Sequence, residues 1–336
     1  MSDLRIGVVG AGLMGADHIL RIRDRIAGAT VTAVIDPDAA KAEAAAATVP
    51  GSTVFASLPE AISAGAMDAV LIATPGRFHL DDLLAVIAAG LPTLCEKPLV
   101  PDAESALKVV DAEVAGGRRL IQVGFMRRFD AGYMELRDII HERPYGELLA
   151  LRCAHRNPSV PESYTNEMLV NDSLVHEIDV VRFLTDSPIV AFEVKHLKRN
   201  TNNFEHLQDP ILAFLETETG VVADVEMNVS VRFGYQVKTE AVFESGIAEI
   251  GRTAGTTVWH DGAYSGREHA SFKTRFAAAF ETELQRWVDA ARNGGTDGPS
   301  AWDGYLVAAA CAAGVESLTT GQRVEIAYAP QPAFYR

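Results

Sequence analysis

Six residues near the N-terminus, Gly10-Ala11-Gly12-Leu13-Met14-Gly15, constrain this chain more than any other stretch. They follow a short apolar run, Arg5–Val9, and open a helical pattern over about residues 13–27. Glycine at the first position permits a tight turn. Glycine at the second lets a pyrophosphate approach the backbone, and glycine at the third allows close packing of helix on strand. The N-terminus of the helix then faces the phosphates. Asp36 ends the next apolar run, Val31–Ile35, where an acidic side chain binds the adenosine ribose hydroxyls. Its carboxylate would repel a ribose phosphate, so the pattern favours NAD over NADP.

The alternation continues. Further buried-type strands are expected at Ala69–Ala73, Thr93–Cys95 and Leu120–Val123, with helices at about 38–48, 77–89 and 102–116. Short strands alternating with longer helices imply a doubly wound parallel sheet. After residue 123 the pattern changes. A helix at about 130–141 leads into Leu148–His155 and then into the helical stretch Val170–Leu184. Strands at about 189–199, 210–217, 221–231, 235–243 and 246–250 follow without helices between them, which implies antiparallel pairing. Glu218-Thr219-Gly220 reads as a hairpin turn, and helices at about 272–293 and 302–319 close the chain. The expected fold is therefore an α/β N-terminal Rossmann domain, residues 1–122, followed by an α+β domain, residues 123–336. The second domain has a large, mostly antiparallel sheet.

A chain of 336 residues is long for one core, consistent with two domains. Its net charge of −15 argues against nucleic acid and anionic membranes as partners. The three cysteines, Cys95, Cys153 and Cys311, lack metal-type spacing and read as reduced thiols. No signal-peptide pattern and no apolar run of about 18 residues is present, so a cytoplasmic protein is expected.

The candidate chemistry lies at strand ends and on one helix. Ala73, Thr74, Pro75 and His79 follow the third strand of the alternating pattern, where strand ends point at a dinucleotide. His79 fits either a helix cap or a cofactor contact. Glu96-Lys97-Pro98 ends another strand; Lys97 reads as a crevice lysine beside the nicotinamide or as a surface lysine before a turn. Asp172 and His176 stand four residues apart, about one helical turn, and leave the same face, which Asp179 and Phe183 continue. Leu174, Ile178 and Val181 supply the buried stripe. A carboxylate beside an imidazole orients the ring and raises its basicity, although a solvated pair has the same spacing. His176-Glu177 also begins like a zinc-hydrolase H-E-x-x-H, but Val180 occupies the second ligand position and no metal is expected.

With the glycine motif, the E-K-P triplet and the D-x-x-x-H helix in place, the chain resembles the glucose–fructose oxidoreductase / inositol dehydrogenase family. The blocks Gln122-Val123-Gly124-Phe125-Met126-Arg127-Arg128-Phe129-Asp130, Cys153-Ala154-His155-Arg156-Asn157-Pro158 and Ala301-Trp302-Asp303-Gly304-Tyr305 sharpen that resemblance, which runs over essentially the whole chain. It implies that Lys97, Asp172 and His176 are the catalytic residues and that Arg127, His155, Asn157 and Tyr235 lie near the substrate. It also implies NAD as cofactor, a small polyol as substrate and a homotetramer. The implied reaction is oxidation of a secondary alcohol of a cyclic polyol to the ketone, myo-inositol to 2-keto-myo-inositol foremost, with another inositol isomer, cyclitol or sugar as the alternative. Thr74-Pro75-Gly76 departs from the Ser-Trp-Gly common in the inositol enzymes. A different class of reading is a noncatalytic dinucleotide-binding regulator on the same fold; Lys97, Asp172 and His176 together argue against it.

Overall fold

In the computed structural model, which describes residues 2–252 and 254–336, the chain divides into two units. The first comprises Met1–Phe125, Phe280–Ala308 and Ala329–Arg336; the second comprises Met126–Ala279 and Ala309–Tyr328.

Among the described residues, the first unit carries a six-stranded parallel sheet. Its strands are β1 (Leu4–Val9), β2 (Ala29–Ile35), β3 (Thr53–Phe55), β4 (Ala69–Ile72), β5 (Thr93–Glu96) and β6 (Ile121–Gly124). Their order is β3-β2-β1-β4-β5-β6, with the direction reversing at β1. This is the dinucleotide-binding order, and its reversal point opens the crevice where ligands sit. The connecting helices are α1 (Leu13–Arg25), α2 (Ala39–Ala46), α3 (Leu58–Ser63), α4 (His79–Ala89) and α5 (Ala103–Gly116). Every residue of β4, β5 and β6 is buried, which explains their continuous apolar character. Leu284, Trp287, Val288 and Ala291 join the core cluster of β1, α1 and β2. Strand β3 and helix α3 have no counterpart in the sequence reading. β3 is a three-residue edge strand, and α3 is a six-residue helix held by Ser57, whose hydroxyl accepts the Glu60 amide hydrogen.

The second unit is built on a seven-stranded mixed sheet. Helix α6 (Ala131–Glu142) and strand β7 (Leu148–Arg156) come first, then helix α7 (Val175–Thr185). Strands β8 (Ile189–His196), β9 (Ile211–Thr217), β10 (Val222–Asn228), β11 (Gln236–Phe243) and β12 (Ile247–Ile250) follow. The sheet order is β12-β11-β7-β10-β9-β8-β15, where β15 is Val324–Glu325. Strand β7 inserts between β11 and β10, running antiparallel to the first and parallel to the second; the other pairings are antiparallel. The expected β9–β10 hairpin forms, closed by the Thr217 amide on Val221 O at 2.9 Å. Along β7, Leu151, Cys153 and His155 are buried while Arg152 is exposed and Ala154 and Arg156 are half-buried, the period of two of a sheet with one covered face.

Two features differ from expectation. A hairpin, β13 (Ala254–His260) and β14 (Ala263–Arg267), turns at Asp261-Gly262, both with positive φ (49° and 74°), and leaves the paired Trp259 and Tyr264 exposed. The helix expected at about 272–293 is interrupted at Phe276 into α8 (Phe272–Arg275) and α9 (Ala277–Ala291). Helix α10 (Ala301–Thr320) follows as expected. No helix of the described residues is long and apolar enough to cross a membrane.

Candidate functional site

In the first unit the glycine loop has the shape a pyrophosphate needs. Gly10 has φ 92° and donates its amide hydrogen to Ile35 O at 2.8 Å; a Cβ there would lie 2.9 Å from the backbone of Ala73 and Thr74. A Cβ on Gly15 would lie 1.7 Å from Gly10 O, so helix and turn close on each other only with glycine. A Cβ on Gly12 would meet nothing within 4 Å, which leaves an open approach to the backbone. Gly12 caps α1 without a side-chain hydrogen bond, so the first amides of α1 have no side-chain cap. Asp36 Oδ2 accepts the Ala11 amide hydrogen at 2.8 Å and Oδ1 accepts that of Asp38 at 2.9 Å, tying the loop to the end of β2. Leu13 is exposed and Met14 half-buried. At the end of β4, Ala73 is half-buried and Pro75 exposed, and the buried Thr74 hydroxyl has no hydrogen-bond partner among the described residues. A carboxylate-anchored glycine cradle, an uncapped helix start and an orphaned hydroxyl suit a dinucleotide.

His79 and Glu96 lie inside this unit. His79 is fully buried; Nε2 is 2.6 Å from Thr74 O, and Nδ1 is 2.9 Å from Pro98 O and 3.1 Å from Leu99 O. The ring thereby braces the turn after β4 against the Lys97–Pro98 turn, whose peptide bond is cis. Glu96 Oε1 contacts His18 Nε2 at 2.7 Å, and Glu96 Oε2 accepts the Lys97 amide hydrogen at 3.2 Å. The E-K-P turn is thus held from two sides by histidines, of which His18 was not singled out from sequence.

In the second unit the Asp172–His176 segment is not one regular α-helix. Leu169–Leu174 forms a π-helical turn, and α7 begins at Val175. The wider turn holds Asp172, and His176 lies in the first turn of α7; both are half-buried. Single π-turns concentrate at functional sites. The Tyr164 hydroxyl donates to Met168 O and shares a hydrogen bond with Ser173 Oγ, both at 2.7 Å, and its pKa is raised by burial and by the Asp172 carboxylate. The expected stripe of Leu174, Ile178 and Val181 is fully buried. Asp179 does not continue the face of Asp172 and His176 into the open: it is buried and takes a bidentate ion pair from Arg128 at 2.6–3.1 Å.

Beside His176 lies a buried charge cluster. Arg127 is 1% exposed, ion-paired to Glu177 and stacked over Phe276 at 5.3 Å. Glu177 Oε2 is 3.0 Å from His155 Nδ1. The Arg127 Nη2 also approaches Nδ1, at 3.3 Å. A carboxylate only accepts, so the shorter contact assigns the Nδ1 hydrogen to Glu177 and leaves the Arg127 approach as packing. Burial alone would raise the Glu177 pKa; the Arg127 charge and the His155 ring at Oε2 overcome it and hold the carboxyl at about 2. The His155 and His176 ring centroids are 6.2 Å apart, and Tyr235 sets its edge on His155 at 5.8 Å. Burial pushes the Tyr235 hydroxyl up to about 12. Asn157 extends β7, donating its amide hydrogen to Asn228 O at 2.8 Å.

The structure therefore gathers Arg127, His155, His176 and Tyr235 in one unit and the glycine loop, Asp36, Thr74 and Lys97 in the other. Sequence reasoning missed Glu177. Its signal was present: Glu177 stands three residues after Leu174 and four before Val181, a charge inside the apolar stripe.

The sequence matches the family described as "Oxidoreductase family, NAD-binding Rossmann fold" over residues 4–125 and the "GFO/IDH/MocA C-terminal domain" over residues 133–249. It is 56% identical over 334 residues to the inositol 2-dehydrogenase of Leifsonia xyli subsp. xyli, covering 99% of this chain and 98% of that one. Identity to the inositol 2-dehydrogenase of Corynebacterium glutamicum is 53%, covering 99% of each chain. Among solved structures, the myo-inositol dehydrogenase of Lactobacillus casei in complex with NAD(H) and myo-inositol superposes with a TM-score of 0.96 at 33% identity, covering 99% of this chain and 100% of that one.

Proposed function

This chain belongs to the Gfo/Idh/MocA oxidoreductase family, and from that membership we infer that it is an NAD-dependent dehydrogenase oxidising myo-inositol to 2-keto-myo-inositol. The observation that carries this reading is a likeness to inositol 2-dehydrogenases over essentially the whole chain, at an identity above one half. Gly10–Gly15, Asp36 and the turn after β4 would hold NAD, which would supply the hydride acceptor. The chain's own residues manage the proton and the position of the alcohol. We assign His176 as the base for the hydroxyl proton and Asp172 as its orienter. Lys97 stabilises negative charge developing on the reacting oxygen. His155, Asn157 and Tyr235 offer hydroxyl partners to an uncharged polyol, and Arg127 acts through Glu177 and His155. His79 and Glu96 serve the cofactor site by bracing the turns that carry Thr74 and Lys97.

Residues 1–122 are proposed as the NAD-binding domain, and residues 123–336 as the domain for substrate and subunit association apart from Phe280–Ala308 and Ala329–Arg336, which belong to the first unit. A homotetramer is the proposed assembly, supported by the exposed Trp259, Tyr264, Ile247 and Leu149 of the second unit. A cytoplasmic role in myo-inositol catabolism is proposed with it.

The test is NADH formation at equal concentrations of myo-, scyllo- and chiro-inositol and glucose, in wild type, His176→Ala and Asp172→Asn. Turnover is expected to be highest with myo-inositol and to fall roughly 10²–10⁴-fold in His176→Ala. Nearly full turnover in that variant would rule out His176 as the base.

A further inference from the structure

We propose that Glu177 is a positioning residue of the polyol site: it fixes the ring of His155 through Nδ1, so that His155 presents Nε2 to a substrate hydroxyl beside His176. The proposal rests on the dehydrogenase reading above and adds a residue to it.

Four observations carry it. Glu177 and His155 are 2% and 3% exposed, so their 3.0 Å contact is sheltered from water. A carboxylate at Nδ1 selects the ring form with its hydrogen there, and no hydrogen bond among the described residues engages Nε2. The ring lies 6.2 Å from that of His176 and carries the Tyr235 edge at 5.8 Å, so tilt and rotation are limited on two sides. Arg127 pairs with the other Glu177 oxygen, which prevents the carboxylate from swinging away from His155.

Stability alone does not call for this arrangement. A buried ion pair seldom outperforms apolar residues of the same volume, and Leu174, Ile178, Val181 and Leu184 show that apolar side chains suit this helix. What apolar residues cannot do is hold an imidazole in one tautomer. The arrangement parallels the way outer groups orient metal-bound histidines, with a polyol hydroxyl in place of a metal.

The experiment uses the full-length protein with its histidines ¹⁵N-labelled, the His155 resonance being assigned by its loss in His155→Gln. Wild type is expected to carry a hydrogen on Nδ1. In Glu177→Gln the amide can present either end, and the resonance is expected to shift toward a mixture of ring forms. The same variant should raise KM for myo-inositol roughly tenfold or more while KM for NAD stays within about twofold. Glu177→Asp, one methylene shorter, tests the same point if Glu177→Gln folds poorly, and should move KM for myo-inositol in the same direction. A wild-type His155 without a hydrogen on Nδ1 overturns the proposal. So does a variant that loses thermal stability but keeps the His155 signal and the KM for myo-inositol. A wild-type chain that oxidises no polyol would defeat the dehydrogenase reading while leaving the ring measurement to decide the role of Glu177.

Discussion

Substituting Arg127→Met should reverse the acid dependence of stability in the second unit. In the folded chain the Glu177 carboxyl is held at about 2 against an ordinary 4.5, a gap worth about 3 kcal/mol at neutral pH. The folded value lies below the unfolded one. The stability is therefore complete above about pH 5 and is lost as pH falls toward 2, with about 2 kcal/mol going between pH 6.5 and pH 3. Methionine fills much of the space over Phe276 but leaves Glu177 buried with the His155 ring as its remaining hydrogen-bond partner among the described residues. Burial, which acts to raise the Glu177 pKa, then prevails, and the sign inverts: the carboxyl rises above its ordinary value and stability is lost as pH rises. At neutral pH the variant should be about 3–5 kcal/mol less stable than wild type, as when one member of a buried pair is removed. That deficit should shrink by at least about 2 kcal/mol at pH 3. Urea unfolding followed by circular dichroism at the two pH values measures both, and the double variant Arg127→Met/Glu177→Leu should recover most of the neutral-pH loss. A neutral-pH deficit below about 1 kcal/mol, or a variant whose acid dependence runs parallel to that of wild type, refutes the reasoning.

Three further outcomes are expected. Gly15→Ala, whose Cβ would lie 1.7 Å from Gly10 O, should lower both thermal stability and NAD affinity. Gly12→Ala, with open space around it, should keep the melting temperature and weaken only NAD binding by calorimetry. Asp36→Ser should narrow the preference for NAD over NADP, read as the ratio of kcat/KM for the two cofactors, because the carboxylate that would repel a ribose phosphate is gone. Tyr335→Phe removes the hydroxyl donated to the buried Glu113 Oε2 at 2.5 Å and should cost about 1–3 kcal/mol in a melting experiment, since the Leu120 and Ile121 amides serve the other oxygen.

The first unit was legible because its signals are local. A glycine turn between β1 and α1, and strands buried on both faces, announce themselves within about ten residues. The second sheet was less so. Strand β7 is followed in sequence by α7 and β8, yet it lies between β11 and β10, and pairings such as Cys153 with Thr239 span more than eighty positions. No window along the chain contains that information. The β13–β14 hairpin could have been read, since Asp261-Gly262 is a strong turn signal between Val258-Trp259 and Tyr264. The π-turn could not: a spacing of four between Asp172 and His176 looks the same whether the backbone is α-helical or widened. Asp179 shows a related limit. Spacing puts it on a helical face, but Arg128, fifty-one residues away, decides that it is buried and paired.

The proposed reaction moves a hydride from myo-inositol to NAD. Myo-inositol deuterated at C2, incubated with NAD, measures it directly. Monodeuterated reduced cofactor, 2-keto-myo-inositol without the label, and a primary isotope effect on kcat/KM or on the single-turnover rate are expected. Reduced cofactor free of deuterium, or label retained in the product, would contradict it.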